Sequence, residues 1–116
     1  MITAFGKFCR KLRIEHDEIL KDMASKLNVT SAYLSAVEMG KRNIPEHWGN
    51  MLREVYNLNI AQSKELKVAI DSSVKQIKLN LDNVSLPKKQ AAIMFARKLD
   101  ELGEEDIKKI FEIIKN

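Results

Sequence analysis

Few side chains in this sequence stand at spacings that carry chemistry. Cys9 is the single cysteine. It falls on the apolar side of a basic helical pattern with no histidine placed to activate it, so a structural thiol is expected. His16 and His47 are far apart, and neither joins a Cys or carboxylate at ligand spacing, so no metal site is expected. Glu104-Glu105-Asp106 stands where carboxylates favour the start of a helix, which explains the cluster without catalysis. There is no Gly-rich phosphate loop and no nucleophile with a suitable base. The expectation is a binding protein with no catalytic residue, metal or cofactor. What remains for binding is a short helix of hydroxyls and methyls, Ser31, Ala32, Ser35 and Ala36 beside Tyr33, followed by a basic loop, Lys41-Arg42-Asn43.

The elements that must position this segment are legible from apolar periodicity. Phe5, Phe8, Cys9, Leu12 and Ile14 recur at near-helical spacing, with Lys7, Arg10, Lys11 and Arg13 between them. After a polar break at Glu15 to Glu18, Ile19, Leu20, Met23, Ala24 and Leu27 predict a short second helix ending at Asn28. Asparagine tolerates the left-handed conformation of a sharp turn. Thr30 is an N-cap for the third helix, which turns Leu34 and Val37 inward and stops near Gly40. Pro45 opens a fourth helix with Trp48, Met51, Leu52, Val55 and Tyr56 on one face. A fifth begins near Gln62 and carries Leu66, Ala69, Ile70 and Val74.

The period then changes. In Gln76 to Asp82 apolar and polar residues alternate, which favours a short strand, about 76–82, paired with the same strand of a second subunit. Pro87 starts a helix running to about Leu102. Gly103 breaks it, and Ile107, Ile110, Phe111 and Ile114 line a last helix, giving a C-terminal helical hairpin. The aromatic and methionine residues Phe5, Phe8, Trp48, Met51 and Met94 are expected in the core.

Residues 20–39, LKDMASKLNVTSAYLSAVEM, have the organisation of a helix-turn-helix. Small Ala24 sits where two helices cross, Asn28 holds the turn, and Leu34 and Val37 face back into the angle between the helices. The segment from Phe5 to about Asn59 resembles the phage-repressor and Cro type, the XRE family. The most telling stretch is NVTSAYLSAVEMGKRNIP, Asn28 to Pro45. The resemblance implies a five-helix, all-α domain whose third helix enters the major groove, and dimers that read two half-sites on the order of 34 Å apart. It implies that Ser31, Ala32, Ser35 and Ala36 face the bases, with Tyr33 beside them as a further contact to a base or a phosphate. Thr30, Lys41, Arg42 and Asn43 would meet the DNA backbone, and Arg13 and Glu38 would form a structural salt bridge. Leu20 departs from the pattern, standing where many members carry a phosphate-binding glutamine, and Asn28 replaces the usual glycine. Because none of Ser31 to Ala36 makes a bidentate base contact, readout is expected to lean on hydroxyls, thymine methyls and DNA shape.

The 116-residue chain carries a net charge of +4, which admits a nucleic-acid partner without requiring one. The excess lies in residues 61–99, with eight Lys/Arg against three Asp/Glu, whereas residues 100–116 carry three against six. The sequence divides as a DNA-binding domain, 1–60, and a helical dimerisation or interaction region, 61–116. The N-terminus lacks the apolar core of a signal peptide and no apolar run is long enough for a membrane span, so a soluble cytoplasmic protein is expected. The resulting expectation is a homodimeric repressor that reads a palindromic operator in double-stranded DNA. The alternative is an antitoxin-type protein that binds its own promoter and neutralises a partner protein through residues 61–116.

Overall fold

In the computed structural model, which describes residues 1–115, each of the first four helices ends in the same way. Asp17, Asn28, Gly40 and Asn57 all adopt positive φ, between 49° and 75°. In each case the next residue's N–H returns to a carbonyl five residues back, as Val29 does to Ala24 at 3.0 Å and Leu58 to Arg53 at 3.0 Å. This double-bonded stop satisfies carbonyls that a helix end would otherwise leave bare, and it turns the chain sharply. The helices so delimited are α1 (Ala4–Glu15), α2 (Leu20–Lys26), α3 (Ser31–Glu38) and α4 (Trp48–Val55). They are followed by α5 (Ile60–Ser73), α6 (Leu86–Lys98), a 3-10 turn (Leu99–Glu101) and α7 (Glu104–Ile114). The described residues are thus all-helical, and no helix among them is long and apolar enough to cross a membrane.

The chain forms two units, Met1–Ile77 and Lys78 onward. The first has one core, built from Phe5, Phe8, Cys9 and Leu12 of α1, Met23 and Ala24 of α2, Leu34 and Val37 of α3, Trp48 and Leu52 of α4, and Leu66 and Ala69 of α5. The fifth helix therefore belongs with the first four, beyond the boundary near residue 60 drawn from the sequence. It also starts earlier than Gln62. Asn59 Oδ1 accepts the Gln62 N–H at 2.8 Å and Gln62 Oε1 accepts the Asn59 N–H at 3.0 Å, which caps the helix at Asn59. The fourth helix begins three residues later than Pro45, because Pro45 to Trp48 closes a turn first.

Gly6 marks where α1 meets the end of α3. A Cβ at this position would stand 2.4 Å from the Glu38 carbonyl oxygen and 2.7 Å from Ile2 Cγ1. Backbone cannot yield as a side-chain tip can, so Gly6→Ala must push α1 off α3. The expected loss is about 1–3 kcal/mol, read as a lower urea midpoint at unchanged m-value.

The second unit differs. Neither α6 nor α7 buries a single residue. Met94, expected in the core, is 59% exposed. The hairpin expected here is two helices and a turn without a packed interior. The strand expected at 76–82 is absent: no strand occurs among the described residues, and this segment is neither helix nor strand until the turn at Asp82-Asn83. A strand exists only through a partner's backbone, and a chain that is otherwise helical offers none.

Candidate nucleic-acid interface

The candidate interface centres on α3. Asn28 (φ 59°) turns the chain between α2 and α3. Thr30 caps α3, its Oγ1 accepting the Tyr33 N–H at 3.1 Å. Leu34 and Val37 anchor the inner side in the core. At the far end one residue is held twice. The Glu38 carbonyl oxygen accepts the Thr3 N–H at 3.0 Å and the Thr3 hydroxyl at 2.9 Å. The Glu38 carboxylate accepts two bonds from the Arg13 guanidinium, at 2.6 and 3.1 Å. Both side chains are buried. Burial disfavours the charged Arg13, but the hydrogen bond and negative charge of Glu38 outweigh it and raise the Arg13 pKa. The same environment silences Cys9: burial drives its thiol far above the ordinary range, Glu38 adds to this, and Arg13 opposes it in part. A protonated, enclosed thiol is inert.

On the outer side, Ala32 is exposed, and Ser31, Ser35 and Ala36 are half-buried. These four small side chains leave a low surface. Thr30, Lys41, Arg42 and Asn43 are exposed at its two ends. The loop folds back on the helix, with the Lys41 and Arg42 N–H groups both donating to the Ala36 carbonyl, at 2.9 and 3.3 Å. Gly40 (φ 75°) makes that reversal without strain. Tyr33 is less free than its position suggests. Its ring stands edge-on to Trp48 at 6.0 Å, and the Arg42 guanidinium lies over it at 4.8 Å. Tyr33 therefore fixes Arg42 beside the helix, an interaction of the cation–π type. Leu20, where the resembled pattern has a polar residue, packs half-buried against the core.

Charge on this side is mainly basic, with Asp22 an exposed acid within it. From Ile19 to Asn43 the acids are Asp22 and Glu38. Asp22 Oδ2 is engaged by the Ile19 N–H at 2.9 Å, and Glu38 is engaged by Arg13. Lys21, Lys41 and Arg42 remain exposed. A surface of this kind attracts a polyanion and repels acidic groups.

The base of α2 is held by a second polar cluster. Glu18 accepts the Tyr56 hydroxyl at 2.6 Å and a bond from Lys26, whose Nζ also lies 4.6 Å from the centre of the Tyr56 ring. Burial alone would raise the Glu18 pKa, but the bonds from Lys26 and Tyr56 prevail and lower it. A carboxylate with a depressed folded pKa stabilises the fold above its unfolded value, about 4.3, and that contribution disappears as the pH falls through the folded value. Glu18→Gln should therefore lower the urea midpoint at neutral pH and make little difference under strongly acidic conditions. An equal loss at both would contradict this assignment.

Two positioning residues escaped the sequence reading, Thr3 and Gly6. The signal for Gly6 was present: a glycine inside a helical pattern of a chain with only four glycines. Thr3 gave a local one as well, as the N-cap of α1 whose Oγ1 accepts the Gly6 N–H at 3.0 Å, whereas its bond to Glu38 spans 35 residues. No family model, curated protein or solved structure matches this chain.

Proposed function

We propose that this chain is a sequence-specific DNA-binding regulator of transcription, with α2 and α3 acting as a helix-turn-helix and α3 entering the major groove. On this reading it belongs with the XRE-type repressors that residues 5–59 resemble, and it represses from a palindromic operator. The observation that carries the reading is the outer side of α3, small and accessible at Ala32, with Lys41 and Arg42 exposed at its end and both nearby acids internally bonded. A B-DNA major groove admits one helix, and a low helix surface brings the backbone close to base edges.

Ser31 and Ser35 then offer hydroxyls to bases, Ala32 and Ala36 offer methyl contacts, and Lys41, Arg42 and Asn43 contact phosphates along with Thr30. Lys41→Ala should weaken binding to all duplexes by a similar factor and reduce the slope of log affinity against log salt by about one. The reading is tested by selecting genomic fragments bound by the full chain. Enrichment of one two-fold-symmetric site is expected. Uniform recovery of fragments, or none, would overturn it.

A further inference from the structure

Three helix termini of the first unit converge through bonds that no local pattern announces. Thr3 joins the start of α1 to the end of α3, through its two bonds to the Glu38 carbonyl. Ser73 joins the end of α5 to the start of α1, its Oγ accepting the Phe5 N–H at 3.0 Å. The same hydroxyl donates to the Ala69 carbonyl at 2.8 Å, which fixes its direction. Val74 then turns extended (ψ 127°) and ends the helix. The next residue, Lys75, is thereby laid beside Gly40, the residue that closes α3. A Cβ built on Gly40 would stand 3.5 Å from Lys75 Nζ, 3.9 Å from its Cε and 2.9 Å from Thr3 Cγ2. An ammonium group from beyond α5 thus sits where the Lys41-Arg42-Asn43 loop begins.

The charge of Lys75 is not spent inside the fold. Its side chain is exposed and forms no ion pair among the described residues. The acid one turn earlier on α5, Asp71, is bonded to Lys67 at 3.1 Å, and Glu38 is held by Arg13. No acid occurs in Met39 to Pro45 or in Ser72 to Leu81. Lys41 and Arg42, the two residues after Gly40, are exposed cations as well. A lysine at the end of a helix has a structural use, as partner of the helix dipole. One cation meets that use, whereas here one glycine is followed by two cations and flanked by a third. Like charges gathered in this way favour an anion beside them, and a duplex presents its phosphates in a regular row.

We propose that Lys75 binds a phosphate of the duplex, so that the backbone contact at the end of α3 is shared by two segments, Lys41 to Asn43 and the residue that leaves α5. The lysine serves as a point charge and reads no base. Lys75 adds to the regulator reading, on which this assignment rests for its duplex, a contact from a stretch that the sequence assigned to subunit or partner packing. Thr3 and Ser73 then act as positioning residues, because they set where α1, α3 and α5 end relative to one another and so hold the Lys75 ammonium beside the loop.

The test is the affinity of the full chain for its selected duplex as a function of salt, followed by anisotropy. Lys75→Ala should bind about five- to ten-fold more weakly at ~0.1 M salt and lower the slope of log affinity against log salt by about one. Lys75→Arg keeps the charge and should restore the slope. Lys67→Ala changes the net charge equally, but at a lysine already bonded to Asp71, and should leave affinity and slope near wild type. Urea midpoints of the three variants should match wild type. A lower midpoint for Lys75→Ala at unchanged slope would make Lys75 a helix-end partner only and overturn the proposal. Equal losses in Lys75→Ala and Lys67→Ala would reduce the effect to net charge and overturn it too. If wild type selects one sequence and Lys75→Ala keeps its affinity and slope, this contact fails alone. If the slope falls by about one on duplexes of every sequence and no site is preferred, the regulator reading fails alone. Absence of duplex binding sinks both.

Discussion

Ser31→Glu/Ala32→Glu is expected to abolish specific duplex binding, lowering affinity by at least about 100-fold, while the fold survives. Two carboxylates would stand on the outer first turn of α3, where the proposed complex places base edges between two rows of phosphates. Each would lose its local contact and add repulsion from both strands. The fold has no reason to object. Ala32 is exposed, Ser31 is half-buried, and neither belongs to the core. Acids in the first turn of a helix are favourable to its dipole, so stability should stay within about 0.5 kcal/mol of wild type. The two readouts separate cleanly. Binding is measured by gel shift or anisotropy on the selected site, and stability by urea titration of the same sample. Retained footprints at that site would remove these residues from the interface.

The largest stability effect is expected at Glu38. Its carboxylate is buried and receives both bonds of the Arg13 guanidinium. Glu38→Ala leaves an uncompensated cation in the core, which typically costs about 3–5 kcal/mol. A small domain holds about 5–15 kcal/mol in all, so much of the folded population would be at risk. The companion variant, Arg13→Met/Glu38→Leu, removes both charges and fills their space with apolar atoms. It should recover most of the loss, because desolvation of the pair is relieved together with its attraction. Equal midpoints for the single and double variants would show that the pair is not what holds this end of α3. The Thr3 bonds to the Glu38 carbonyl would then be the remaining anchor.

The helices of the first unit were legible because each has a local signature. Apolar residues recur at helical spacing in α1 and α4, and Asn28 and Gly40 are residue types that accept a positive φ. Long-range consequences were not legible. That α5 packs on α1 depends on Leu66 and Ala69 meeting a surface some sixty residues earlier, and the Phe5 N–H bond to Ser73 Oγ has no local counterpart. The close approach at Gly6 is likewise a property of two helices, not of one. Tyr33 was placed beside the candidate surface by the family resemblance, but its position between the edge-on Trp48 ring and the Arg42 guanidinium required the fold. The alternation in 76–82 describes a segment able to become a strand, and the described residues give it no partner. In α7 the apolar stripe is clear in sequence. A stripe states only that a side wants covering.

Titrating the ¹⁵N-labelled chain with its selected duplex and following the amide resonances tests the central claim most directly. The largest shifts are expected along Thr30 to Ala36 and in Lys41 to Asn43, with α6 and α7 nearly unmoved. Shifts confined to α6, α7 or the exposed side of α5, with those of α3 unchanged, would contradict it.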